Sequence, residues 1–314
     1  ERKLAVLRER LKLLTEIDCV MMPTEVERLN DEEFETLLAE KTQERADRWG
    51  AGLARGGGAR TSAYAHEFVA TARAAMAAAE VAAYSFDALD KRRSLADRRA
   101  GRPAARAAAE VIVEPNGARG NALKLDGDSG ITAAKVGAFA RSDAFSIGLF
   151  VKAPKTYRRA VIVHKTRAAL DAGSRGYELL VEKGRLVGRL AHMWPGDAIA
   201  VATRHALPIG RFVHVAMTYD GSSRARGIAL YIDGVRQATR VLRDSLTRRI
   251  TYRRTGEPPL VVGQRFRDLG WAGGWVDELR VYRRALVPLE LAEWVTGHAF
   301  EDALHAAQRG DKRS

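Results

Sequence analysis

The stretch Phe212-Val-His-Val-Ala-Met-Thr-Tyr-Asp-Gly221 decides the fold of this chain, together with Leu230-Tyr-Ile-Asp-Gly234 and Val276-Asp-Glu-Leu-Arg-Val-Tyr282. Each stretch alternates apolar and polar residues with a period of two, which is typical of a strand with one buried face. In the first stretch, the odd-numbered side chains from Val213 to Tyr219 are predicted to face the core. Two of the stretches end in Asp-Gly, a pair that tolerates the positive φ of tight hairpin turns. The middle of the chain is therefore predicted to be antiparallel β structure.

A fourth stretch, Phe145-Ser-Ile-Gly-Leu-Phe-Val-Lys152, precedes these three, and the last of them continues to Leu286 as Arg-Arg-Ala-Leu. In order and spacing the four stretches resemble the laminin-G-like group of the concanavalin A-like jelly rolls. Phe150 and Phe212 stand where that group has tryptophan. The resemblance implies a mainly β fold with helical flanks, in which a two-sheet antiparallel β-sandwich follows an N-terminal helical region.

Three further stretches indicate one subgroup of this family: Asp171 to Leu179, His192-Met-Trp-Pro-Gly196, and Gly263 to Asp268 with Trp271. They resemble the laminin-G-like domains inserted in large planctomycete multidomain proteins that also contain cytochrome-c-like domains. The resemblance implies a modular, extracytoplasmic parent protein of which this chain is a fragment. It implies no redox role, because the chain lacks a haem-attachment motif.

The pattern of apolar residues, glycines and charges along the sequence divides the chain into three segments. Residues 1–81 are predicted to be helical, beginning with a coiled-coil-like hairpin, because leucines recur at 3-4-3 spacing from Leu4 to Leu14. Residues 82–295 form the predicted jelly roll, in which the basic stretch 91–106 is expected to be a loop and short strands recur between Gly-bearing turns. Residues 296–314 are predicted to hold the end of a C-terminal helix that begins near Pro288, and a polar tail.

Composition excludes several classes of protein. The single cysteine, Cys19, excludes an intrachain disulfide and a cysteine-only zinc site. The formal net charge is +13, but arginine is spread over the whole chain, so we expect weak, salt-sensitive attraction to nucleic acid and no specific nucleic-acid partner. No stretch approaches the roughly 18 consecutive apolar residues of a membrane span, so none is predicted.

No catalytic constellation is present in the sequence. The chain has no nucleophile elbow, no P-loop and no dinucleotide-binding glycine pattern after a strand. Glu16-Ile-Asp18 is similar to part of a glucanase carboxylate pattern, but Met21 replaces its last glutamate and the segment lies in the helical part. We therefore predict a non-catalytic module that binds carbohydrate or docks onto another domain. A ligand-free structural spacer and a glycan-acting enzyme on the same fold are the alternatives.

The candidate ligand site combines aromatic and cationic side chains. Trp194 precedes Pro195-Gly196, which favours a loop position where an aromatic face can stack on a sugar ring. Histidine and arginine side chains offer donors to hydroxyl or carboxylate groups. The alternative is that the tryptophans pack in the core and the arginines pair with Asp171, Asp268 and Glu178. The predicted ligand-binding residues are Arg175, His192, Trp194, Arg265, Arg267 and Trp271.

The resemblance also makes Asp277 a candidate ligand of a structural Ca²⁺ ion, because related domains hold such an ion near the first strand and near the strand of Asp277. Asp97 stands roughly where a second ligand would be expected. However, Arg98-Arg-Ala-Gly-Arg-Pro103 replaces the usual calcium loop, and its arginines would repel a cation. We therefore expect Asp277 to act chiefly as a hydrogen-bonding residue of the sheet, and we predict no other cofactor.

Overall fold

The computed structural model describes residues 58–168, 173–252 and 256–308. Contacts divide the chain into two compact units, Glu1–His66 and Glu67–Ser314. Apart from residues 58–66, which begin the first described helix, the description below concerns the second unit. The predicted coiled-coil hairpin lies outside the described residues. Within the described residues, no helix is long and apolar enough to cross a membrane.

Seventeen strands and three helices make up the described part of the chain. The first helix precedes all strands, and the other two follow them. The helices are α1 (Gly58–Ala79), α2 (Pro288–Thr296) and α3 (Ala299–Gln308). The strands are β1 (Glu80–Tyr84), β2 (Ser94–Leu95), β3 (Ala105–Ala107), β4 (Ile112–Glu114), β5 (Ala122–Lys124), β6 (Ile131–Ala133), β7 (Phe145–Lys152), β8 (Arg159–Lys165), β9 (Gly176–Glu182), β10 (Arg185–Met193), β11 (Asp197–Thr203), β12 (Phe212–Tyr219), β13 (Ile228–Ile232), β14 (Val235–Arg236), β15 (Thr239–Asp244), β16 (Leu260–Val262) and β17 (Trp275–Tyr282).

The strands form two antiparallel sheets that pack face to face, which confirms the predicted β-sandwich. Sheet one has the order β14-β13-β12-β7-β17-β5-β4, and β1 also pairs with β17. Sheet two has the order β15-β11-β10-β9-β8-β16-β6-β3-β2. Their facing sides share one hydrophobic core, to which Leu149 and Val215 contribute from sheet one and Leu190 and Ile199 from sheet two. Burial of this apolar surface is the main stabilising contribution to the sandwich.

The alternation in β12 and the Asp-Gly turn after β13 agree with the sequence prediction. Val213, Val215, Met217 and Tyr219 all lie in the core. Asp233 and Gly234, at φ of 49° and 76°, join β13 to β14 in the left-handed conformation that such a pair permits. The register of this part of sheet one was therefore encoded locally.

The predicted loop 91–106 is the main error in the strand prediction, because it contains β2 and the first two residues of β3. Ala105 and Ala107 alternate inward with Arg106 outward, but strands of two or three residues leave too few positions for a period to be recognised. The same limit explains why β4 and β6 were not predicted.

Helix α2 covers the outer side of sheet one. Pro288 occupies its first turn, the Glu290 carboxylate accepts the Val287 N–H at 2.9 Å, and Gly297 ends the helix at φ of 78°. This frame places the Trp294 ring 4.5 Å from the ring of His214, which is fully buried. Both sides of β12 are therefore covered, the inner side by the core and the outer side by α2.

His214 makes the stability of the fold sensitive to acid. Burial lowers its pKa from 6.5 to about 3, with the charges of Arg280 and Arg119 acting in the same direction. Below pH 6.5 the unfolded chain therefore binds a proton at this histidine, whereas the folded chain binds it only near pH 3. The contribution of such a histidine to the free energy of unfolding is fully present above pH 6.5 and is lost toward pH 3, by about 1.4 kcal/mol per pH unit.

We predict that His214→Leu reduces the slope of the free energy of unfolding against pH by the contribution of one histidine. The variant should lose no stability at pH 7, because neither ring nitrogen of His214 has a hydrogen-bond partner that the change would remove. Urea unfolding at several pH values between 4 and 7 measures the slope. The exposed His205, replaced by Gln, is the control and should leave the slope unchanged. An identical slope in His214→Leu and the parent protein would contradict the prediction.

Candidate functional site

The outer side of sheet two brings charged side chains of neighbouring strands into one row. Arg189 of β10 lies opposite Glu178 of β9, and Glu178 lies opposite His164 of β8. The segment that follows β16 folds back over β8, where the Val161 N–H donates to the Leu269 carbonyl at 2.8 Å. This fold-back brings Arg265 to the same row of side chains.

Six charged residues in this row form a closed ring of ion pairs in which acids and arginines alternate. Glu178 binds both Arg189 and Arg265, and Asp268 binds Arg265 and, at 2.6 Å, Arg159. Arg159 also binds Glu182, which closes the ring at 3.6 Å from Arg189. We call this set the ion-pair ring: Arg189, Glu178, Arg265, Asp268, Arg159 and Glu182.

The centre of the ion-pair ring is removed from solvent. Arg189, Glu178 and Arg265 are 2%, 1% and 3% exposed. Burial alone would raise the pKa of Asp268, but hydrogen bonds from Arg159 and the charge of Arg265 hold it far below its ordinary value. Three positive and three negative groups leave the ring formally neutral, which is the condition under which buried charges are tolerated.

His164 borders the ring as a neutral side chain. Its Nε2 lies 2.9 Å from the Gln264 carbonyl oxygen, and its Nδ1 lies 3.1 Å from the Thr166 N–H. These partners assign the proton to Nε2 and the acceptor role to Nδ1. Burial, followed by the charge of Arg265, lowers the pKa of His164 to about 3.

Trp194 lies over the ion-pair ring. The Arg189 guanidinium is 4.3 Å from the centre of the Trp194 ring, and that of Arg243 is 5.8 Å away. The backbone N–H of Trp194 donates to the Gly173 carbonyl oxygen at 2.6 Å, which fixes the backbone at this residue. The indole is half-buried, so the side chain is held firmly and part of its surface faces solvent. Arg189 thus gains a cation–π contact in a desolvated setting.

A cleft of about 310 Å³ opens between the turn that joins β10 to β11 and the segment that follows β15. Trp194 belongs to this turn but does not line the cleft itself, whereas its chain neighbours Met193 and Gly196 do. His192, Met193 and Asp197 line one side, and Thr247 and Arg248 line the other. The carboxylate of Asp197 accepts the N–H and the hydroxyl of Thr247 at 2.7 and 3.1 Å. A half-exposed indole and this cleft together form the candidate site.

Arg175 and His192 form a separate small cluster at the rim of the sandwich. His192 Nδ1 lies 2.7 Å from the Arg249 carbonyl oxygen, and its Nε2 lies 3.3 Å from Arg175 Nη2. The Arg175 guanidinium also lies 5.4 Å from the centre of the Tyr252 ring. His192 links this cluster to the cleft, which it helps to line.

The six predicted ligand-binding residues do not form one cluster. Arg175 and His192 meet at the rim, whereas Trp194 and Arg265 are joined through Arg189 and Glu178. Arg265 is nearly fully buried and bound to Glu178 and Asp268, as the alternative interpretation expected, so it positions other groups instead of facing a ligand. Arg267 is exposed on the fold-back segment, with its guanidinium 5.2 Å from the centre of the Phe266 ring.

Placing Trp271 at a surface site was wrong. Its side chain is fully buried in the core and packs on Tyr157, with ring centres 4.6 Å apart. The glycines around it explain this position, because a Cβ on Gly274 would lie 2.3 Å from the Trp271 indole nitrogen. The indole therefore fills core space that neighbouring side chains leave open.

Sequence reasoning missed Arg189, Arg159 and Glu182, although a local signal for the first existed. Lys183 and Gly184, at φ of 50° and 73°, form a two-residue turn between β9 and β10. A two-residue turn fixes the register of a hairpin, and this register sets Arg189 opposite Glu178. Arg159 pairs through tertiary contacts for which the sequence offers no comparable signal.

A family model supports the fold independently of these contacts. The laminin-G-like model described as the concanavalin A-like lectin/glucanases superfamily matches residues 125–292, which is more than half of the chain. The chain belongs to this superfamily. No curated protein is similar enough in sequence to match this concanavalin A-like chain.

Solved structures agree with the architecture. The binding domain of Paraclostridial Mosquitocidal Protein 1 superposes with a TM-score of 0.53 at 14% identity, over 71% of this chain and 53% of that one. The binding domain of botulinum neurotoxin serotype G gives a TM-score of 0.51 at 17% identity, over 69% and 50%. The concanavalin A-like chain thus spans about half the length of these two structures, and at this identity the likeness shows the fold alone.

The two carboxylates considered for calcium do not fit that ion as a pair. Both Asp97 oxygens accept backbone N–H groups, from Ala83 at 3.0 Å and Arg99 at 2.9 Å. Asp277 Oδ2 accepts the Arg119 N–H at 2.8 Å, whereas its Oδ1 has no partner. Among the described residues, no three His, Cys, Asp or Glu side chains are arranged to hold a metal. In this concanavalin A-like domain Asp277 anchors a loop to sheet one.

The ion-pair ring yields a prediction about stability. Glu178→Gln should lower the free energy of unfolding by about 3–5 kcal/mol, because it leaves Arg189 and Arg265 buried with one carboxylate fewer. Chemical denaturation at pH 7 measures the loss. Asp233→Asn, at an ion pair whose side chains are 58% and 35% exposed, is the control and should cost less than about 1 kcal/mol. Equal losses in the two variants would contradict the proposed role of burial.

Proposed function

We propose that this domain is a non-catalytic binding module that takes a carbohydrate on the outer side of sheet two, with Trp194 as the stacking platform. The observation that supports this most directly is the position of the indole. It is half-buried, 4.3 Å from a buried guanidinium, and next to a cleft of about 310 Å³. A flat apolar ring beside polar donors is the combination that suits a sugar, whose C–H faces stack on aromatic rings and whose hydroxyls accept hydrogen bonds.

The ion-pair ring makes the platform rigid. Arg189 cannot move without separating from Glu178, and Glu178 is itself held by Arg265. The indole is therefore held in one orientation before a ligand arrives, which reduces the entropy that binding would otherwise cost. This rigidity is the reason to favour a specific site over an incidental surface tryptophan.

The superfamily and the structural neighbours are consistent with a binding role. The two neighbours described above are binding domains of a mosquitocidal protein and of a neurotoxin. Their likeness to this chain concerns the fold, so it supports the proposal only in showing that this sandwich serves as a binding domain elsewhere. We further propose that the domain works within an extracytoplasmic multidomain parent, as the resemblance of its loop sequences implies.

The state of the acidic groups argues against the enzyme alternative. Glycoside hydrolysis needs one carboxyl group with a raised pKa that donates a proton, and a second carboxylate nearby. Glu178 and Asp268 are instead bound to arginines, and the pKa of Asp268 lies far below its ordinary value. Asp277 has a pKa raised to about 7, chiefly by burial, but its side chain is fully buried. We therefore expect no acid–base pair at Trp194.

A second candidate function is the docking of another protein domain. Phe266 and Leu269 are 66% and 60% exposed, and they line a cleft of about 470 Å³ beside Gly127 and Asp128. Exposed apolar side chains of this kind favour a protein partner. The indole platform favours carbohydrate, and the following experiments separate the two.

The central test replaces Trp194. Trp194→Ala should weaken binding to a glycan that the parent protein retains by roughly 10-fold or more, since loss of an aromatic stacking contact costs about 1–3 kcal/mol. Trp194→Phe should restore part of the affinity because it keeps a ring. A glycan array identifies the ligand, and isothermal titration calorimetry measures the change.

Trp275→Ala is the matched control. This half-buried indole lies on sheet one, where its N–H donates to Glu114 at 2.7 Å and Lys152 Nζ lies 4.9 Å from its ring. The control should bind the glycan as the parent protein does. Retained affinity in Trp194→Ala with loss in Trp275→Ala would place binding on the other sheet and refute the site. Circular dichroism confirms that each variant is folded.

We also predict that the purified protein releases no reducing ends from any polysaccharide that it binds. The physical reason is the absence, at the site described, of a carboxyl group that stays protonated near neutral pH and could reach a glycosidic oxygen. Turnover measured over a day at pH 5 and pH 7 tests this. Release of reducing ends that is abolished by Glu178→Gln or Glu182→Gln would establish the enzyme alternative instead.

A further inference from the structure

The cleft beside Trp194 is rich in hydrogen-bond donors and poor in free acceptors. Arg243 is exposed, and its guanidinium lies 5.8 Å from the Trp194 ring. Arg248 lines the cleft with 73% of its side chain exposed. Arg249 follows it and is also exposed. One guanidinium group therefore lines the cleft, that of Arg248, and a second, that of Arg243, lies near the Trp194 ring; both belong to the segment formed by β15 and its continuation.

Little negative charge is paired with these arginines: Asp244 follows Arg243 in the chain, but its Oδ1 accepts the Ala225 N–H at 2.7 Å. Among the described residues, no carboxylate lies within ion-pair distance of Arg243, whose Nη1 donates only to the Leu242 carbonyl oxygen at 2.7 Å. Asp197 is the acidic residue that lines the cleft, and its oxygens are occupied by Thr247 and by the Arg248 N–H. The Arg248 side chain comes no closer than 3.9 Å, between its Nε and Asp197 Oδ2, which is a long and weak ion pair.

We propose that the ligand at this site is an acidic glycan, whose sugars bear carboxylate or sulfate groups. The inference rests on the proposed function, since it names the class of carbohydrate that Trp194 would bind. A neutral sugar hydroxyl both donates and accepts, so a site for neutral sugars needs free acceptors as well as donors. Arginine only donates, and its planar group matches the paired oxygens of a carboxylate or sulfate.

The neutral ion-pair ring strengthens this inference. Because the three acids of the ring are committed to its three arginines, they contribute little field at the cleft. The charge that a ligand meets at the indole and in the cleft is set by Arg243 and Arg248. A monoanionic sugar that stacks on Trp194 would accept charge-assisted hydrogen bonds from these exposed arginines. The ion pairs of the buried ring would stay intact.

Nucleic acid is the competing polyanion, and the geometry favours it less. Duplex binding uses cations arrayed along a phosphate backbone, and single-strand binding uses several rings for successive bases. Here one indole adjoins a cleft of about 310 Å³, and Asp244 interrupts the cationic segment between Arg243 and Arg248. This site is suited to one or two sugar rings.

The test compares one polymer in its charged and uncharged forms. Calorimetry measures the affinity for polygalacturonate and for its fully methyl-esterified form at the same salt concentration. Polygalacturonate should bind at least about 10-fold more tightly, which is the worth of one charge-assisted hydrogen bond. Rising salt should weaken polygalacturonate binding and leave binding to the ester largely unchanged.

The variants locate the effect. Arg243→Gln and Arg248→Gln should each reduce the preference for the charged polymer about 3- to 10-fold, because they weaken binding of polygalacturonate more than binding of the ester. Arg236→Gln is the matched control: it removes the same charge from an exposed position on β14, the edge strand of sheet one, and should change nothing.

Each outcome bears on one of the two proposals. Equal affinity for both polymers with dependence on Trp194 would overturn the acidic class and keep the carbohydrate site. Binding of neither polymer, or of any other glycan, would remove the carbohydrate site itself. If polygalacturonate, chondroitin sulfate and single-stranded DNA bound alike, and neither Trp194→Ala nor Arg243→Gln weakened them, the attraction would be non-specific and the inference wrong.

Discussion

The carboxylate of Glu178 lies between two buried guanidinium groups, and the outer side of sheet two depends on this arrangement. Removing two arginines from water is costly unless their charge is matched, and Glu178 can match only part of it. Asp268 supplies the remaining charge at Arg265 and Glu182 supplies it at Arg189, and Arg159 binds both of these acids and so closes the ring. Trp194 covers Arg189, and exclusion of water by the indole strengthens the ion pairs beneath it. The tryptophan and the ion-pair ring therefore stabilise each other.

This arrangement also distinguishes the two sides of the sandwich. The outer side of sheet one is closed by α2, where Trp294 packs on His214 and Phe150 lies 5.0 Å from His214 between ring centres. The outer side of sheet two holds charged groups and a cleft in place of a covering helix. One sheet thus anchors the flanking helices, while the other is available for a ligand.

The sequence was sufficient for the parts of the fold that local patterns control. The period-two alternation of β12 and the Asp233-Gly234 turn identified sheet one, and the family resemblance supplied the second sheet. Among the strands of two or three residues, β5 and β16 were predicted, whereas others such as β3 were missed, because the pairing of β3 is decided by tertiary contacts with β6. Local rules therefore predicted the long strands and only some of the short ones.

The candidate site was predictable only in part, for a related reason. Trp194 and Trp271 each stand close to glycine, and both were expected at the surface. Gly196 lies in open space at a turn, whereas Gly274 makes room for the buried indole of Trp271. Glycine marks a turn in one case and a close approach in the other, and sequence alone does not distinguish the two. Arg265 was misassigned similarly, since an arginine that binds a ligand and one that supports its neighbour have the same local pattern.

The ion-pair ring is formally neutral, whereas the exposed arginines Arg243, Arg248 and Arg249 are charged, and this difference has a consequence for specificity. The residues of the ion-pair ring are coupled, so a change at any of them alters stability and the position of Trp194 together. Arg243, Arg248 and Arg249 are exposed, and their loss would leave the ring and the indole in place. The charge preference of the site can therefore change through surface substitutions that cost little stability, whereas the stacking platform cannot.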